Sequence, residues 1–136
     1  MALIVLDAGI VIAFFDGDDP HHVAAKGAMA EAANAGDEFV LPASAYSEAL
    51  VRPFMLGAEA VGRIDGLIDE LPARVEGASR SIGRAAAALR ARHGARLRLP
   101  DALVLATAAE LGADRVLTTD RGLRIGGIVV DVVGGT

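Results

Sequence analysis

The sequence predicts an α/β fold of three layers, in which a small and mainly parallel sheet is flanked by helices. Apolar runs that are too short for helices alternate with longer stretches of helical period, and this alternation is typical of βα units on a parallel sheet. The 136 residues fit a single domain over 1–136, because a domain has roughly 150 residues. With 53% apolar and 23% charged residues, the chain can fold around a packed core.

Five strands are expected, most of them at short apolar runs. Ala2 to Leu6 is a continuous apolar run that ends at a charge, which fits a strand buried on both faces. The other four strands are predicted at 38–41, 73–76, 115–118 and 128–133. Because ligands in open α/β sheets bind beyond the carboxyl ends of the strands, function is to be sought among the residues that follow these runs.

Capping residues, prolines and glycines mark the predicted helices. Asp19 is the expected N-cap of the first helix, with Pro20 in its first turn and an end at about Ala35, before Gly36. The later helices are expected at about 44–53, 58–71, 79–93 and 101–111, and they are separated or ended by Gly57, Gly94 and Gly112. The apolar run 8–15 is assigned to neither a strand nor a helix.

Several classes of protein are excluded by composition. The chain has no cysteine, which rules out disulfide scaffolds, thiolate zinc sites and cysteine nucleophiles. Its longest uncharged apolar run, 8–15, is far shorter than the roughly 20 residues of a membrane helix. The start of the chain lacks the basic residues of a secretory signal. We therefore expect a soluble, cytoplasmic protein.

The charge of the chain is unevenly distributed. The formal net charge is −5, but residues 1–73 carry −9, residues 74–98 carry +6 and residues 99–136 carry −2. A basic segment thus lies within an acidic protein, and the net charge alone would hide it.

Four acidic residues are expected near the carboxyl edge of the sheet. Asp7 follows the first strand, Glu48 lies in the helix after the second, Asp101 is in the first turn of a helix, and Asp120 ends the fourth strand. Three of them also have ordinary explanations: Asp101 suits the helix dipole, Asp120 suits the cap of a turn, and Glu48 suits a solvated helix position. Asp7 is harder to explain in this way, because a charge beside a buried strand is unfavourable without a partner.

Binding of a divalent metal ion is the chemistry that would bring these carboxylates together. Carboxylates held within a few ångströms repel one another and raise each other's pKa, and a divalent cation reverses that effect. Mg²⁺ and Mn²⁺ prefer oxygen ligands and keep several waters when only one or two carboxylates bind them. A water on such an ion loses its proton easily, and the ion offsets charge on a phosphoryl oxygen. This chemistry is that of phosphodiester hydrolysis.

The four acids and their surroundings resemble a known family. They stand in the segments LDAGIVIAFF, SAYSEAL, LPDALVLATA and LTTD, which are similar to those of PIN-domain ribonucleases, above all the VapC-type toxins of bacterial toxin–antitoxin pairs. The resemblance implies a three-layer PIN-like fold, Mg²⁺- or Mn²⁺-dependent cleavage of RNA, and inhibition by a cognate antitoxin. It assigns Asp7, Glu48, Asp101 and Asp120 to the metal site and to catalysis, with Thr118 supporting them by a hydroxyl hydrogen bond.

Two positions differ from the pattern of that family. Ala8 and Gly9 stand where members commonly carry a serine, threonine or asparagine, and the segment after Asp120 lacks an additional acid and an aromatic residue. The alternative is therefore a non-catalytic scaffold of the same fold that binds RNA or a protein partner. A phosphoryl-accepting receiver-like domain fits poorly, since such domains use a lysine late in the chain and Lys26 is the only lysine here.

Two further sets of residues are candidates for contacts with RNA or with a protein partner. Arg96 and Arg98 lie just before Asp101 and are candidates for RNA binding through phosphates, whereas the arginines of 79–93 also suit an ordinary solvated helix face. Apolar residues within 51–71 suit an antitoxin interface, a homodimer interface or the core of the domain.

Overall fold

A sheet of five parallel strands forms the centre of the computed structural model, which describes residues 1–134. The strands are β1 (Leu3–Leu6), β2 (Glu38–Pro42), β3 (Ala73–Glu76), β4 (Arg115–Thr118) and β5 (Val130–Val132). Their order across the sheet is β3-β2-β1-β4-β5, and all neighbouring pairs are parallel. The carboxyl ends of β1 and β4 therefore lie side by side.

Six helices cover this sheet. They are α1 (Ala8–Phe15), α2 (His22–Asn34), α3 (Ala43–Leu56), α4 (Ala58–Glu70), α5 (Arg80–His93) and α6 (Leu99–Leu111). They pack in pairs, α1 with α2, α3 with α4 and α5 with α6. The predicted three-layer α/β fold is confirmed. Within residues 1–134, none of the helices has both the length and the apolar character that crossing a membrane requires.

Helix α1 is the element that the sequence pattern did not predict. All of its residues are apolar or glycine, so it shows no alternation between an apolar and a polar face. The helix is nevertheless well started, because Asp7 is its N-cap and accepts a hydrogen bond from the Ala8 amide at 2.8 Å. Its buried side chains, Ile10 and Val11 among them, join the core.

The start of α2 was predicted wrongly. The helix begins at His22, and His21 is its N-cap residue. Asp19 does not cap the helix; its carboxylate accepts from the His21 amide at 2.8 Å, and its carbonyl accepts from the His22 amide at 3.0 Å. Asp19 therefore forms a separate turn before the helix, a local use that aspartate shares with N-capping.

The end of α3 also lies beyond its predicted position. The helix continues through Pro53 to Leu56, although proline disfavours a helix interior because it lacks an amide hydrogen. Gly57, which follows with a φ of 128°, ends the helix in a conformation that glycine tolerates. The last strand is shorter than predicted and covers only Val130–Val132.

The core lies between the three central strands and α6. The buried strand residues are Ile4, Val5, Leu6, Phe39, Val40, Leu41, Val116 and Leu117. Helix α6 is buried around most of its circumference between Ala102 and Ala108. Removal of apolar surface from water stabilises such contacts by about 25 cal/mol per Å². Asp7, which follows β1, and Asp101, in the first turn of α6, are thus attached to well-buried elements.

Candidate metal centre

Asp7 and Thr118 form the buried floor of the candidate site. The Asp7 amide donates to the Leu117 carbonyl at 3.1 Å, which joins the ends of β1 and β4. Thr118 Oγ1 then donates to Asp7 Oδ2 at 2.7 Å, while Asp7 Oδ1 accepts from the Ala8 amide at 2.8 Å. Asp7 is only 8% exposed and Thr118 is fully buried. Both carboxylate oxygens of Asp7 are therefore fixed in direction by the fold.

Burial raises the pKa of Asp7 above its ordinary value. The hydrogen bonds from Thr118 and Ala8 lower this pKa, whereas the negative charge of Asp120 raises it. Burial has the largest effect of these causes, so the pKa stays raised. The hydrogen bonds thus hold the Asp7 carboxylate in place, but they do not fully offset the cost of burying its negative charge.

Glu48 and Asp101 reach the same region from two helices. Glu48 lies one turn into α3, and Asp101 lies in the first turn of α6. The pKa of Asp101 is raised by burial and then by the charge of Asp7. The pKa of Glu48 is raised by burial and then by the charges of Asp7 and Asp101. The fold therefore brings Asp7, Glu48 and Asp101 close enough for their charges to repel one another.

Asp120 stands at the rim, just beyond β4. Its amide donates to Thr118 Oγ1 at 3.0 Å, and its Oδ1 accepts from the Gly122 amide at 2.8 Å. Its charge also raises the pKa of Asp7 and of Asp101. Asp120 thus stabilises the turn that follows β4, and its negative charge acts on the neighbouring carboxylates. We call Asp7, Glu48, Asp101 and Asp120 the acidic cluster from here on.

Arg98 lies beside the acidic cluster, at the start of α6. It is the exposed N-cap residue of that helix, and its charge lowers the pKa of both Glu48 and Asp101. Arg96 is exposed in the short 3-10 turn Gly94–Arg96. Arg90 Nε, on α5, donates to the Leu97 carbonyl at 3.2 Å and so holds the segment that carries both arginines.

The sequence of the chain matches that of a known family. Residues 4–126 fit the sequence description of the PIN domain. The chain belongs to the PIN domain family. The family that the acidic residues predicted is therefore confirmed.

Solved structures of toxin–antitoxin proteins share this PIN fold. VapBC2 from Rickettsia felis, bound to a DNA fragment from its promoter, has a TM-score of 0.79 at 12% identity, over 96% of this chain and 98% of that one. A toxin–antitoxin complex from Klebsiella pneumoniae has a TM-score of 0.77 at 22% identity, over 95% and 96% of the two chains. At these identities the likeness concerns the fold alone.

A third similar structure is that of a toxin with a stated cleavage target. VapC20 from Mycobacterium tuberculosis, a toxin that cleaves the sarcin-ricin loop, has a TM-score of 0.75 at 21% identity, over 93% of this chain and 96% of that one. A search of curated proteins gave no match to the chain.

The donors of this PIN domain fit a hard divalent ion. The acidic cluster offers only oxygen ligands, and the raised pKa values of Asp7, Glu48 and Asp101 reflect burial and negative charge that a cation would offset. No three histidine or acidic side chains of residues 1–134 form a ready-made ligand set around one point. Mg²⁺ does not require such a set, because it is commonly held by one or two carboxylates, waters and substrate phosphates.

A groove of about 540 Å³ opens beside Glu48. Residues of α1, α3 and α4 form its walls, together with acids of the loop after α1. The walls combine apolar side chains with two arginines, and they include Phe15, Leu56, Ile64, Arg52 and Arg63. No pattern in the sequence indicates this groove, because its residues are spread over 12–64 and meet only in the tertiary structure.

Tyr46 joins α3 to α4, two of the three helices that line this groove. Its hydroxyl donates to Asp65 Oδ1, from α3 to α4. This hydrogen bond raises the pKa of Tyr46 to about 12, with smaller contributions from burial and from the charges of Asp65 and Asp69. The bond holds α4 against the helix that carries Glu48.

Proposed function

We propose that this PIN-domain chain, as one domain over 1–136, is a Mg²⁺- or Mn²⁺-dependent endoribonuclease and the toxin of a cytoplasmic toxin–antitoxin pair. The observation that carries the proposal is the position of Asp7. Its charge acts on both Glu48 and Asp101, and the charge of Asp120 acts on it. An all-carboxylate cluster of this kind suits a divalent ion, and such an ion would in turn bind an RNA phosphate.

The residues of the acidic cluster take different parts in the proposed reaction. Asp7 and Asp101 are the proposed principal ligands, since they are the members most enclosed by the fold. A bound ion would supply positive charge to the phosphoryl oxygens and would ease the ionisation of water. Glu48, which is exposed and has a raised pKa, is proposed to orient the attacking water and to accept its proton. Asp120 is proposed to hold an ion or to help orient this water.

In-line attack of water on the phosphodiester breaks the bond from phosphorus to the 3′ oxygen. The leaving oxygen takes up a proton, so the products carry a 5′-phosphate and a 3′-hydroxyl. Thr118 keeps Asp7 in the orientation that this reaction requires, because its hydroxyl donates a hydrogen bond to one oxygen of the Asp7 carboxylate. Arg98 and Arg96 would contact neighbouring phosphates of the RNA.

The proposed activity can be tested with variants that change charge and little else. Asp7→Asn and Asp101→Asn are expected to slow cleavage of total RNA in Mn²⁺ by about 10²- to 10⁴-fold, with unchanged circular dichroism. Asp69→Asn, on the exposed face of α4, is the matched control and is expected to cleave like the parent. Parental rates in Asp7→Asn and Asp101→Asn would refute the site.

A non-catalytic scaffold that binds RNA or a protein is the second candidate, and it is favoured by one observation. No three acidic or histidine side chains in residues 1–134 form a preassembled ligand set. Thermal unfolding with and without Mn²⁺ separates the two functions. A ligand present at 100 times its dissociation constant stabilises a protein by about 2.7 kcal/mol, so the nuclease predicts a clear rise in melting temperature and the scaffold predicts none.

The proposed antitoxin partner is supported by the exposed end of α3. Phe54, Met55 and Leu56 are 66%, 81% and 72% exposed, and the last of them also lines the groove beside Glu48. Large apolar side chains grouped in this way mark interaction surfaces. An antitoxin segment in the groove would cover Glu48 and thereby inhibit cleavage.

A homodimer through the same end of α3 is the competing assignment. The mass of the purified chain in light scattering distinguishes the two assignments. We expect Met55→Glu to abolish inhibition by the antitoxin and leave the mass unchanged. A dimeric parent that Met55→Glu converts to a monomer would assign the surface to a second copy.

A further inference from the structure

Gly9 marks a second feature of the candidate site. It lies in the first turn of α1, two residues after Asp7. Its φ is not positive, so the backbone does not require glycine here, and glycine is among the least favourable residues in a helix. A Cβ at this position would stand 2.7 Å from Thr119 Oγ1, closer than real contacts allow. The Thr119 hydroxyl therefore occupies the space that a side chain at position 9 would need.

Glycines elsewhere in the helices lack this constraint. A Cβ built on Gly27, Gly62, Gly66 or Gly83 would meet no atom within 4 Å. The close approach of Thr119 to α1 is thus particular to the turn that begins at Asp7. It is not a general result of the many glycines in the chain.

The hydroxyl of Thr119 is available for a hydrogen bond to a ligand. Thr119 lies between Thr118, which is bonded to Asp7, and Asp120, whose amide is bonded to Thr118. Its side chain is half-buried, and within the described part of the chain, 1–134, its Oγ1 forms no hydrogen bond. A hydroxyl without a partner among the described residues therefore lies beside the first turn of α1, and it belongs to the residue between Thr118 and Asp120.

We propose that Thr119 is a positioning residue of the candidate site and that Gly9 makes room for it. The Thr119 hydroxyl donates a hydrogen bond to an oxygen ligand that enters with the divalent ion, either a water or a phosphate oxygen of the substrate. Outer hydrogen bonds of this kind orient the ligands of a metal site and strengthen its affinity. This inference rests on the proposed function.

Removal of the hydroxyl alone tests the inference. We expect Thr119→Val, which keeps the shape of the side chain, to weaken Mn²⁺ binding in calorimetric titration without RNA by about 10-fold. Thr119→Ser keeps the hydroxyl and is expected to bind within about twofold of the parent by the same principle. Thr107→Val is the matched control, because the Thr107 hydroxyl is already bonded to the Leu103 carbonyl within α6 at 2.7 Å.

A substitution at Gly9 tests the proposed role of Thr119 independently. Gly9→Ala forces Thr119 Oγ1 to rotate away, so it should weaken Mn²⁺ binding in the parent. In a Thr119→Ala background the same change should have no further effect, since the hydroxyl is already gone. If Gly9→Ala weakens Mn²⁺ binding equally in the two backgrounds, Gly9 acts through the packing of α1. That result would overturn the proposed link between Gly9 and Thr119. Melting temperatures without metal show whether each variant is folded.

The same variants distinguish the two oxygen ligands. Weaker Mn²⁺ binding without RNA identifies a water, whereas a loss confined to kcat/KM for RNA cleavage identifies a phosphate oxygen. Parental values of both quantities in Thr119→Val would overturn the inference. If Asp7→Asn abolishes Mn²⁺ binding and Thr119→Val does not alter binding or cleavage, only this inference fails. If the parent binds no Mn²⁺, the proposed function fails and this inference fails with it.

Discussion

Thr118 Oγ1 donates a hydrogen bond of 2.7 Å to Asp7 Oδ2, between residues that are 111 positions apart in the chain. The bond crosses from the end of β4 to the end of β1, where both side chains are buried. It favours the ionised form of Asp7, because it lowers the pKa of a carboxyl that burial raises. The pair therefore supports both the fold and the charge of the candidate site.

Loss of this donor should destabilise the protein at neutral pH. Thr118→Val keeps the shape of the side chain and leaves Asp7 Oδ2 without its buried partner. Hydrogen bonds to charged groups contribute about 1.5–3 kcal/mol, and we expect a loss in that range in urea unfolding at pH 7 with EDTA. In an Asp7→Asn background the loss should be smaller, as a double-mutant cycle would show. Equal losses in both backgrounds would contradict a charge-assisted bond.

The raised pKa values of Asp7, Glu48 and Asp101 predict that the stability of the metal-free protein increases as pH falls. The pKa values of Asp7 and Asp101 lie above 3.8, and that of Glu48 lies above 4.5. An acid with a raised folded-state pKa gives a stabilisation that is complete below its unfolded pKa and is lost as pH rises through the folded pKa. Without metal, this contribution should therefore grow as pH falls from 7 towards 4.

Urea unfolding in EDTA at several pH values measures this contribution. Asp101→Asn removes one of the coupled groups, so its stability should rise less than that of the parent as pH falls. Glu31→Gln, on the exposed face of α2, is the control and should follow the parent. Parallel curves for the parent and Asp101→Asn would contradict the raised pKa of Asp101.

Arg98 should influence both the pH profile and the salt dependence of cleavage. Its charge lowers the pKa of Glu48 and Asp101, so Arg98→Ala should move the acidic limb of the kcat/KM profile to higher pH. Loss of one phosphate contact should also reduce the slope of log affinity against log salt by about 0.7 for single-stranded RNA. Arg98→Lys should retain most of both properties.

Arg96→Ala distinguishes the two neighbouring arginines. It should reduce the salt slope if Arg96 contacts a phosphate, while the acidic limb should stay in place. The acidic limb of the kcat/KM profile could instead move equally in Arg96→Ala and Arg98→Ala. That result would show that the total positive charge nearby, and not the position of Arg98, lowers the pKa values of Glu48 and Asp101.

Tyr46 offers a direct spectroscopic measurement, because it is the only tyrosine of the chain. Its hydrogen bond to Asp65 raises its pKa to about 12, against an ordinary value of 10.0. Absorbance of the phenolate during alkaline titration should therefore have its midpoint well above 10.0 in the parent. Asp65→Asn should return the midpoint towards the ordinary value, whereas Asp18→Asn, in the exposed turn after α1, should not move it.

The sequence was sufficient to predict the sheet and the family. Strands β3 and β4 have their predicted bounds, 73–76 and 115–118, because short strands between helices are marked by the local sequence. The meeting of Asp7 with Glu48, Asp101 and Asp120 followed from topology, since the carboxyl ends of parallel strands share one edge. Their roles in metal binding and catalysis stay predictions.

Other features could not be predicted because they depend on tertiary contacts. Helix α1 has no polar face to reveal its period, and the Asp19 carboxylate was able to form either a cap or a turn. The Tyr46 bond joins residues 19 positions apart, and the approach of Thr119 to Gly9 joins the end of one strand to the start of a helix. No local pattern in the sequence encodes such distances.

The order of the strands also determines when the candidate site can assemble during translation. β1 is made first but takes the centre of the sheet, and β4, which completes one side of it, follows only at residue 115. Domains generally fold as units as the polypeptide emerges from the ribosome, and until β4 has emerged Asp7 has no Thr118 to bind. Before that point the growing chain lacks both the hydrogen bond that orients Asp7 and the carboxylate of Asp120. The complete pocket is a property of the nearly finished polypeptide.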